Sequence, residues 1–371
     1  MKTRRLRRML YVLGALIAMG LALYVGGYYY VTAEWPWQTD ESAAALVLQE
    51  APAAPVHGSG AQAIQQQQHD GMALQAQDAS QSNGTEQPTA ASALSRRIEG
   101  PSATGQMSIQ HGTIEKGRIH SRFMNGDMPY LIYLPPGYND PANANRRYPA
   151  VYLLHGAPGN YRDWAGAGAG ATADALISTG RIPPMILVMP EGKGSLTVDS
   201  EWANGAPPAP QAESYLVQEV VPYIDAHYRT IADQAHRAVG GLSSGGYGGV
   251  NITLHHPDVF GTALSLSGNY LAAKTILRQP LFKDSASIAY NSPIVYIAHM
   301  KNAQQIHIYL AVGKQDKLDN TLAETQQMEQ ALVKANVSDE VQYFPGGHSW
   351  HFWSLHLVDA LEYFASTLPE G

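Results

Sequence analysis

The chain has 371 residues, 45% of them hydrophobic and 15% charged, with a formal charge of −7. An acidic balance of this kind is a poor match for nucleic acid, so no nucleic-acid partner is expected. The absence of cysteine excludes disulfides, thiolate catalysis and Cys-ligated metals, and no metal or cofactor is expected.

The first eight residues carry Lys2, Arg4, Arg5, Arg7 and Arg8, and no charge follows from Met9 to Ala33. Residues 9–31 are long enough to cross a hydrocarbon core of about 30 Å. Tyr28, Tyr29, Tyr30, Trp35 and Trp37 follow, the amphipathic aromatics that collect at a membrane interface. The pattern predicts a basic cytoplasmic tail over 1–8 and a signal-anchor helix over 9–31. The rest of the chain then lies on the extracytoplasmic side, periplasmic or at the cell surface. Val31-Thr32-Ala33 offers a cleavage site as the rival reading, but a signal-peptide apolar core is usually only about 7–15 residues long.

Residues 32–106 turn to Ala, Gln, Ser, Pro and Gly, with a run of glutamine at Gln65–Gln68. No helical or strand period persists there. The composition predicts a disordered linker that cannot bury enough apolar surface to offset its chain entropy. A globular domain is expected over 107–371. Strands are predicted at Tyr130–Leu134, Ala150–Leu154, Met185–Met189, His236–Gly240, Ala263–Ser267, Ile306–Val312 and Val341–Phe344. Helices are predicted over Ser214–Arg229, kinked or restarted at Pro222, from Gly249 to Leu254, and over Leu322–Ala335. Short apolar strands alternating with helices imply a mostly parallel sheet covered on both faces. Ligands of such sheets gather at the carboxyl ends of the strands.

Four of those strand ends carry chemistry. Gly241-Leu242-Ser243-Ser244-Gly245 reads G-x-S-x-G, a strand–turn–helix elbow that strains one serine and exposes its hydroxyl. Its glycines are expected because a Cβ there would strike the neighbouring strand or helix. His155-Gly156-Ala157 follows the Ala150–Leu154 strand and offers the Ala157 N–H as a partner to the Ser244 N–H in an oxyanion hole. Gly313-Lys314-Gln315-Asp316 offers a carboxylate, with Asp319 as its rival, and Pro345-Gly346-Gly347-His348 offers an imidazole. A serine hydroxyl is a poor nucleophile at neutral pH. It needs a base, here His348, and the base needs an acid to fix its tautomer, here Asp316.

The order Ser243, Asp316, His348 is that of the α/β-hydrolases. The text from about Met107 to Leu368 resembles the putative-esterase family, which contains esterase D, feruloyl esterases, siderophore esterases and mycolyltransferases. The resemblance rests on Tyr133-Leu134-Pro135-Pro136-Gly137-Tyr138, Leu153-Leu154-His155-Gly156, Asp163-Trp164, Gly241-Leu242-Ser243-Ser244-Gly245-Gly246, His256-Pro257-Asp258 and Pro345-Gly346-Gly347-His348-Ser349-Trp350. It covers the predicted domain and neither the anchor nor the linker. Ser244 stands where such esterases often have Met, and Gly313–Asp316 departs from a GTED-like acid segment.

The resemblance implies an α/β-hydrolase fold and a serine carboxylic-ester hydrolase working through an acyl-enzyme. Its substrate would be a feruloyl, acyl-sugar or siderophore-type ester. Transfer of the acyl group to a sugar hydroxyl is the alternative, and a non-catalytic envelope-binding module is the other. Oligomeric state is left open. His155, Trp164, Glu201, Trp202, Tyr247 and Trp350 are candidate pocket residues, with core packing as the alternative for the tryptophans. His255-His256 suggests a metal pair, but adjacent rings on a helix diverge and a structural pair is expected. His351 and His356 are expected to be structural.

Overall fold

The computed structural model describes residues 109–193, 200–272, 281–300 and 303–370. The predicted anchor at 9–31 and linker at 32–106 lie outside them. Among the described residues no helix is long and apolar enough to cross a membrane.

Among the described residues eight strands form one sheet: β1 Thr113–Ser121, β2 Gly126–Leu134, β3 Ala150–Leu154, β4 Ile186–Pro190, β5 Arg237–Leu242, β6 Thr262–Leu266, β7 His307–Gly313 and β8 Ser338–Phe344. Their spatial order is β1-β2-β4-β3-β5-β6-β7-β8. β1 and β2 make an antiparallel pair, β2 runs antiparallel to β4, and every remaining pairing is parallel. The helices are α1 Asp163–Gly166, α2 Ala169–Ser178, α3 Ala212–Tyr215, α4 Val221–His227, α5 Ser244–His255, α6 Ser285–Tyr290, α7 Pro293–Tyr296, α8 Thr321–Ala335 and α9 Trp350–Thr367.

Side chains alternate across each strand, and in β3 both sets are apolar. Val151 and Leu153 pack with Ala173 and Leu176 of α2 and with Leu357, Leu361 and Phe364 of α9. Tyr152 and Leu154 pack on the opposite face with Leu216, Val220 and Ile224. Each such side chain taken fully out of water contributes about 1.5–3 kcal/mol. That is why the central strands read as unbroken apolar runs and why helices must cover both faces.

The predicted strands are present, with ends shifted by a few residues. The predicted kink or restart at Pro222 corresponds to the junction of a π-helical turn with α4, the backbone staying helical on both sides. Pro222 sits in the first turn of α4, where a missing N–H breaks no intrahelical bond. The preceding Leu216–Val220 is a π-helical turn that takes up the change of register. β1 has no counterpart among the predicted strands. It is an edge strand carrying exposed Glu115, Lys116, Arg118 and His120, so the apolar signal that marks the central strands is missing from it.

Candidate active site

β5 ends at Leu242, α5 begins at Ser244, and Ser243 makes the whole turn between them. Its backbone lies at φ 52°, ψ −117°, a positive-φ conformation that costs an L-residue on the order of 1–3 kcal/mol. The turn persists because the Ser243 N–H donates to Leu266 O at 2.8 Å and its carbonyl accepts from the Tyr247 N–H at 3.0 Å. Close approach explains the flanking glycines. A Cβ on Gly241 would fall 1.9 Å from Leu154 O, and one on Gly245 would fall 2.3 Å from the same atom.

The imidazole arrives on the loop after β8. His348 immediately precedes Ser349, whose side chain accepts from the Phe352 N–H and caps α9. His348 Nε2 lies 3.0 Å from Ser243 Oγ, and Nδ1 lies 2.8 Å from Asp316 Oδ2. With Asp316 ionised, Nδ1–H donates to the carboxylate, and Nε2 is left to accept the Ser243 hydroxyl proton. The Leu318 N–H donates to the other carboxylate oxygen at 3.1 Å. Asp319 is exposed at φ 47°, and its carbonyl accepts from Asn269 Nδ2. The oxygen beside His348 Nδ1 belongs to Asp316.

The two loops are tied together. Lys314 N–H donates to Phe344 O and Gln315 N–H to Gly346 O, both at 2.8 Å, while Gly346 N–H donates back to Gln315 Oε1 at 2.6 Å. The His348 ring also stands edge-on to Trp353 at 4.9 Å. Trp353 meets Trp350, and Trp350 meets Trp164, each edge to face.

On the other side of the serine, a Cβ on Gly156 would lie 3.4 Å from Ser243 Cβ. The His155-Gly156-Ala157 loop therefore passes beside the elbow. Ser244 is the first residue of α5, so its N–H has no intrahelical acceptor and sits at the positive end of the helix dipole. Ser244 Oγ is buried without a hydrogen-bond partner.

The remaining candidates are structural neighbours of these groups. His155 is 2% exposed and lies under the loop that carries Ala157. Trp164 is buried, and its indole N–H donates to Leu154 O at 2.9 Å. Trp202 donates to His155 O at 2.9 Å and fills the space that side chains at Gly192 and Gly248 would claim. Glu201 is buried at φ 49°. Tyr247 is buried with its hydroxyl on Asn291 O at 2.7 Å. Trp350 is half-buried. His356 bonds Asp359 and stacks on Phe344, whereas His351 is exposed on the first turn of α9.

His255 and His256 depart from the expectation of diverging rings. Both reach Glu213 Oε1, His255 through Nδ1 at 3.1 Å and His256 through Nε2 at 2.9 Å. α5 ends at His255, and His256 caps it with a non-helical backbone (φ −128°, ψ 59°), so its ring is not held at the helical angle and can turn back to the same oxygen. Burial pushes the Glu213 carboxyl up, but the two imidazoles outweigh it and hold the group at about 2. No group of three or more potential metal ligands occurs among the described residues.

One residue near the site has no precursor in the sequence pattern. Glu191 follows the Pro190 that ends β4, and its Oε1 lies 3.1 Å from His155 Nε2. A lone carboxylate after a proline carries no motif, and only the folded sheet brings it against β3.

The family model described as Putative esterase matches residues 121–364. An endo-1,4-beta-xylanase/feruloyl esterase of Xylanibacter ruminicola is 36% identical over 185 residues, covering 49% of this chain and 24% of that protein. An esterase of Mycobacterium tuberculosis is 26% identical over 251 residues, covering 58% of this chain and 51% of that one. The chain thus spans between about a quarter and about half the length of these curated relatives. Among solved structures, a ferulic acid esterase superposes with a TM-score of 0.62 at 25% identity, covering 70% of this chain and 99% of that one. The sheet order, the elbow at Ser243 and the match over residues 121–364 agree, and the chain belongs to the putative-esterase family.

Proposed function

We propose that the protein is a serine carboxylic-ester hydrolase that acts on esters of the feruloyl class. The observation that carries this reading is the run of contacts from Ser243 Oγ through His348 to Asp316, at 3.0 and 2.8 Å. His348 Nε2 takes the Ser243 proton as Oγ attacks the ester carbonyl carbon. The negative charge that develops on the carbonyl oxygen meets the N–H groups of Ala157 and Ser244. Collapse of the tetrahedral intermediate expels the alcohol, which takes its proton from His348 Nε2–H. Water then enters by the same route and releases the acid. Asp316 stays ionised throughout, holding the tautomer and stabilising the imidazolium. The feruloyl assignment is supported by the names of the relative and the solved neighbour, and by the half-buried Trp350 near the base.

The apolar run over 9–31 behind its basic flank supports a membrane anchor with the enzyme on the extracytoplasmic side. Recovery of the full-length protein in the membrane fraction after alkaline carbonate washing tests that placement; recovery in the supernatant would overturn it. The activity is tested with methyl ferulate beside p-nitrophenyl esters of rising chain length, with and without a sugar acceptor. Hydrolysis of methyl ferulate that is lost in Ser243→Ala is expected. Acylated sugar in excess of free acid would replace hydrolysis with acyl transfer.

A further inference from the structure

We infer that His155, held in place by Glu191, is a positioning residue that aims the Ala157 N–H at the oxyanion; this rests on the ester-hydrolase reading above. His155 Nδ1 lies 2.9 Å from Gly156 O, so Nδ1 must carry a hydrogen and donate it. Gly156 O and the Ala157 N–H belong to one planar peptide unit. In a trans peptide they point in opposite directions, and the Gly156–Ala157 bond is not among the cis peptides of the described residues. Fixing that oxygen on the imidazole therefore turns the Ala157 N–H away from His155.

The other side of the ring is fixed as tightly. When Nε2 carries a proton it donates to Glu191 Oε1 at 3.1 Å, and when it is bare it accepts from the Gly192 N–H at 3.0 Å, so the ring has a partner there in either state. Glu191 is held in turn by the N–H groups of Lys193 at 2.9 Å and Tyr161 at 3.4 Å. Burial pushes the Glu191 carboxyl up, but the His155 ring and these donors outweigh it and keep the group below the ordinary carboxylate range. A 180° flip of the ring would put carbon where both nitrogens now sit and lose every one of these contacts. Nδ1–H is present whether the ring is neutral or charged, so the aim of the Ala157 N–H does not depend on the charge of the imidazole.

A second observation shows the room kept for this bond. A Cβ on Gly159 would fall 2.3 Å from Gly156 O and 3.1 Å from His155 Nδ1. The loop leaves space at that position for the carbonyl to lie on the ring. The anchor of the hole is thus the end of β4, a strand that carries none of Ser243, Asp316 and His348.

The test uses the full-length chain, with active sites counted by a fluorophosphonate so that kcat refers to folded enzyme. His155→Leu removes the donor and is expected to lower kcat about 10- to 100-fold with KM within about threefold. That sits below the roughly 10²–10³-fold cost of deleting an oxyanion donor outright. His155→Asn places an amide N–H near the Nδ1 position and should recover most of the loss. Glu191→Ala should lose less than His155→Leu, about 5- to 20-fold, and Glu191→Gln less again. A trifluoromethyl ketone, whose adduct with Ser243 presents an oxyanion, should weaken across the four variants in proportion to kcat/KM. Wild-type kcat in His155→Leu would overturn the inference. So would equal losses in the Leu and Asn variants, or an inhibition constant that stays flat while turnover falls. A wild-type chain that hydrolyses no ester would overturn the hydrolase reading itself, ahead of any variant.

Discussion

Two histidine–carboxylate pairs sit near opposite ends of helix α5, and the proposed function gives them different work. At its N-terminal end His348 has one nitrogen on Asp316 and the other on the Ser243 hydroxyl. At its C-terminal end His255 has one nitrogen on Glu213 and the other on Tyr290 O, with its ring stacked on Tyr290 and Tyr296. Residue types and distances are alike. The difference lies in the second partner: a hydroxyl can give up its proton and become a nucleophile, whereas a backbone carbonyl can only accept. An imidazole beside a carboxylate becomes a base for catalysis only when its far nitrogen faces something that can react.

The sharpest way to break the comparison is to remove the reacting partners. Ser243→Ala and His348→Ala should each lower kcat on p-nitrophenyl acetate by about 10⁴- to 10⁶-fold, with the near-ultraviolet circular dichroism unchanged. Asp316→Asn should cost about 10⁴-fold by holding the wrong tautomer. Asp319→Asn, at the exposed position, should stay within about twofold; the reverse ranking would move the acid role to Asp319. Glu213→Ala should leave kcat within about twofold and lower stability instead, by about 3 kcal/mol for breaking a buried pair, read by urea titration.

The smallest effect is a matter of pH. Glu213 is held at about 2 against an ordinary 4.5, so its pairing stabilises the fold above pH 4.5. That stability is lost as pH falls from about 4.5 toward 2, where the folded protein at last takes up the proton. Glu213→Gln should flatten this part of the acid-unfolding curve, measured as the urea midpoint at successive pH values. A curve identical to wild type would show that the two imidazoles do not stabilise the ionised carboxylate.

The central sheet was legible because strands buried on both faces must be apolar throughout, as at Ala150–Leu154 and Ile306–Val312. The elbow was legible because Gly241 and Gly245 leave no room for a side chain. The loop bearing Asp316 could be read because it closes such a strand, β7. The loop bearing His348 closes the partly buried edge strand β8, and could be read from the short Val341–Phe344 run and the Pro345-Gly346-Gly347-His348 turn after it. β1 could not: an edge strand with solvent on its charged residues has neither apolar run nor clean alternation. The meeting of His255 and His256 on Glu213 depends on residues some forty positions away, and periodicity carries no such distance. Glu191 escaped for the same reason, since its partner His155 is brought to it by sheet pairing alone.

The clasp between Gln315 and Gly346 has a consequence for how this scaffold can change. Asp316 and His348, the proposed acid and base, ride on one stitched pair of loops, while Ser243, the proposed nucleophile, rides on a separate turn bonded to β6. Mechanical disturbance should therefore part the serine from its base before it parts the base from its acid. Segments that bring new alcohols or acyl groups can be grafted around the elbow without retuning the proton relay, as long as that stitch stays closed.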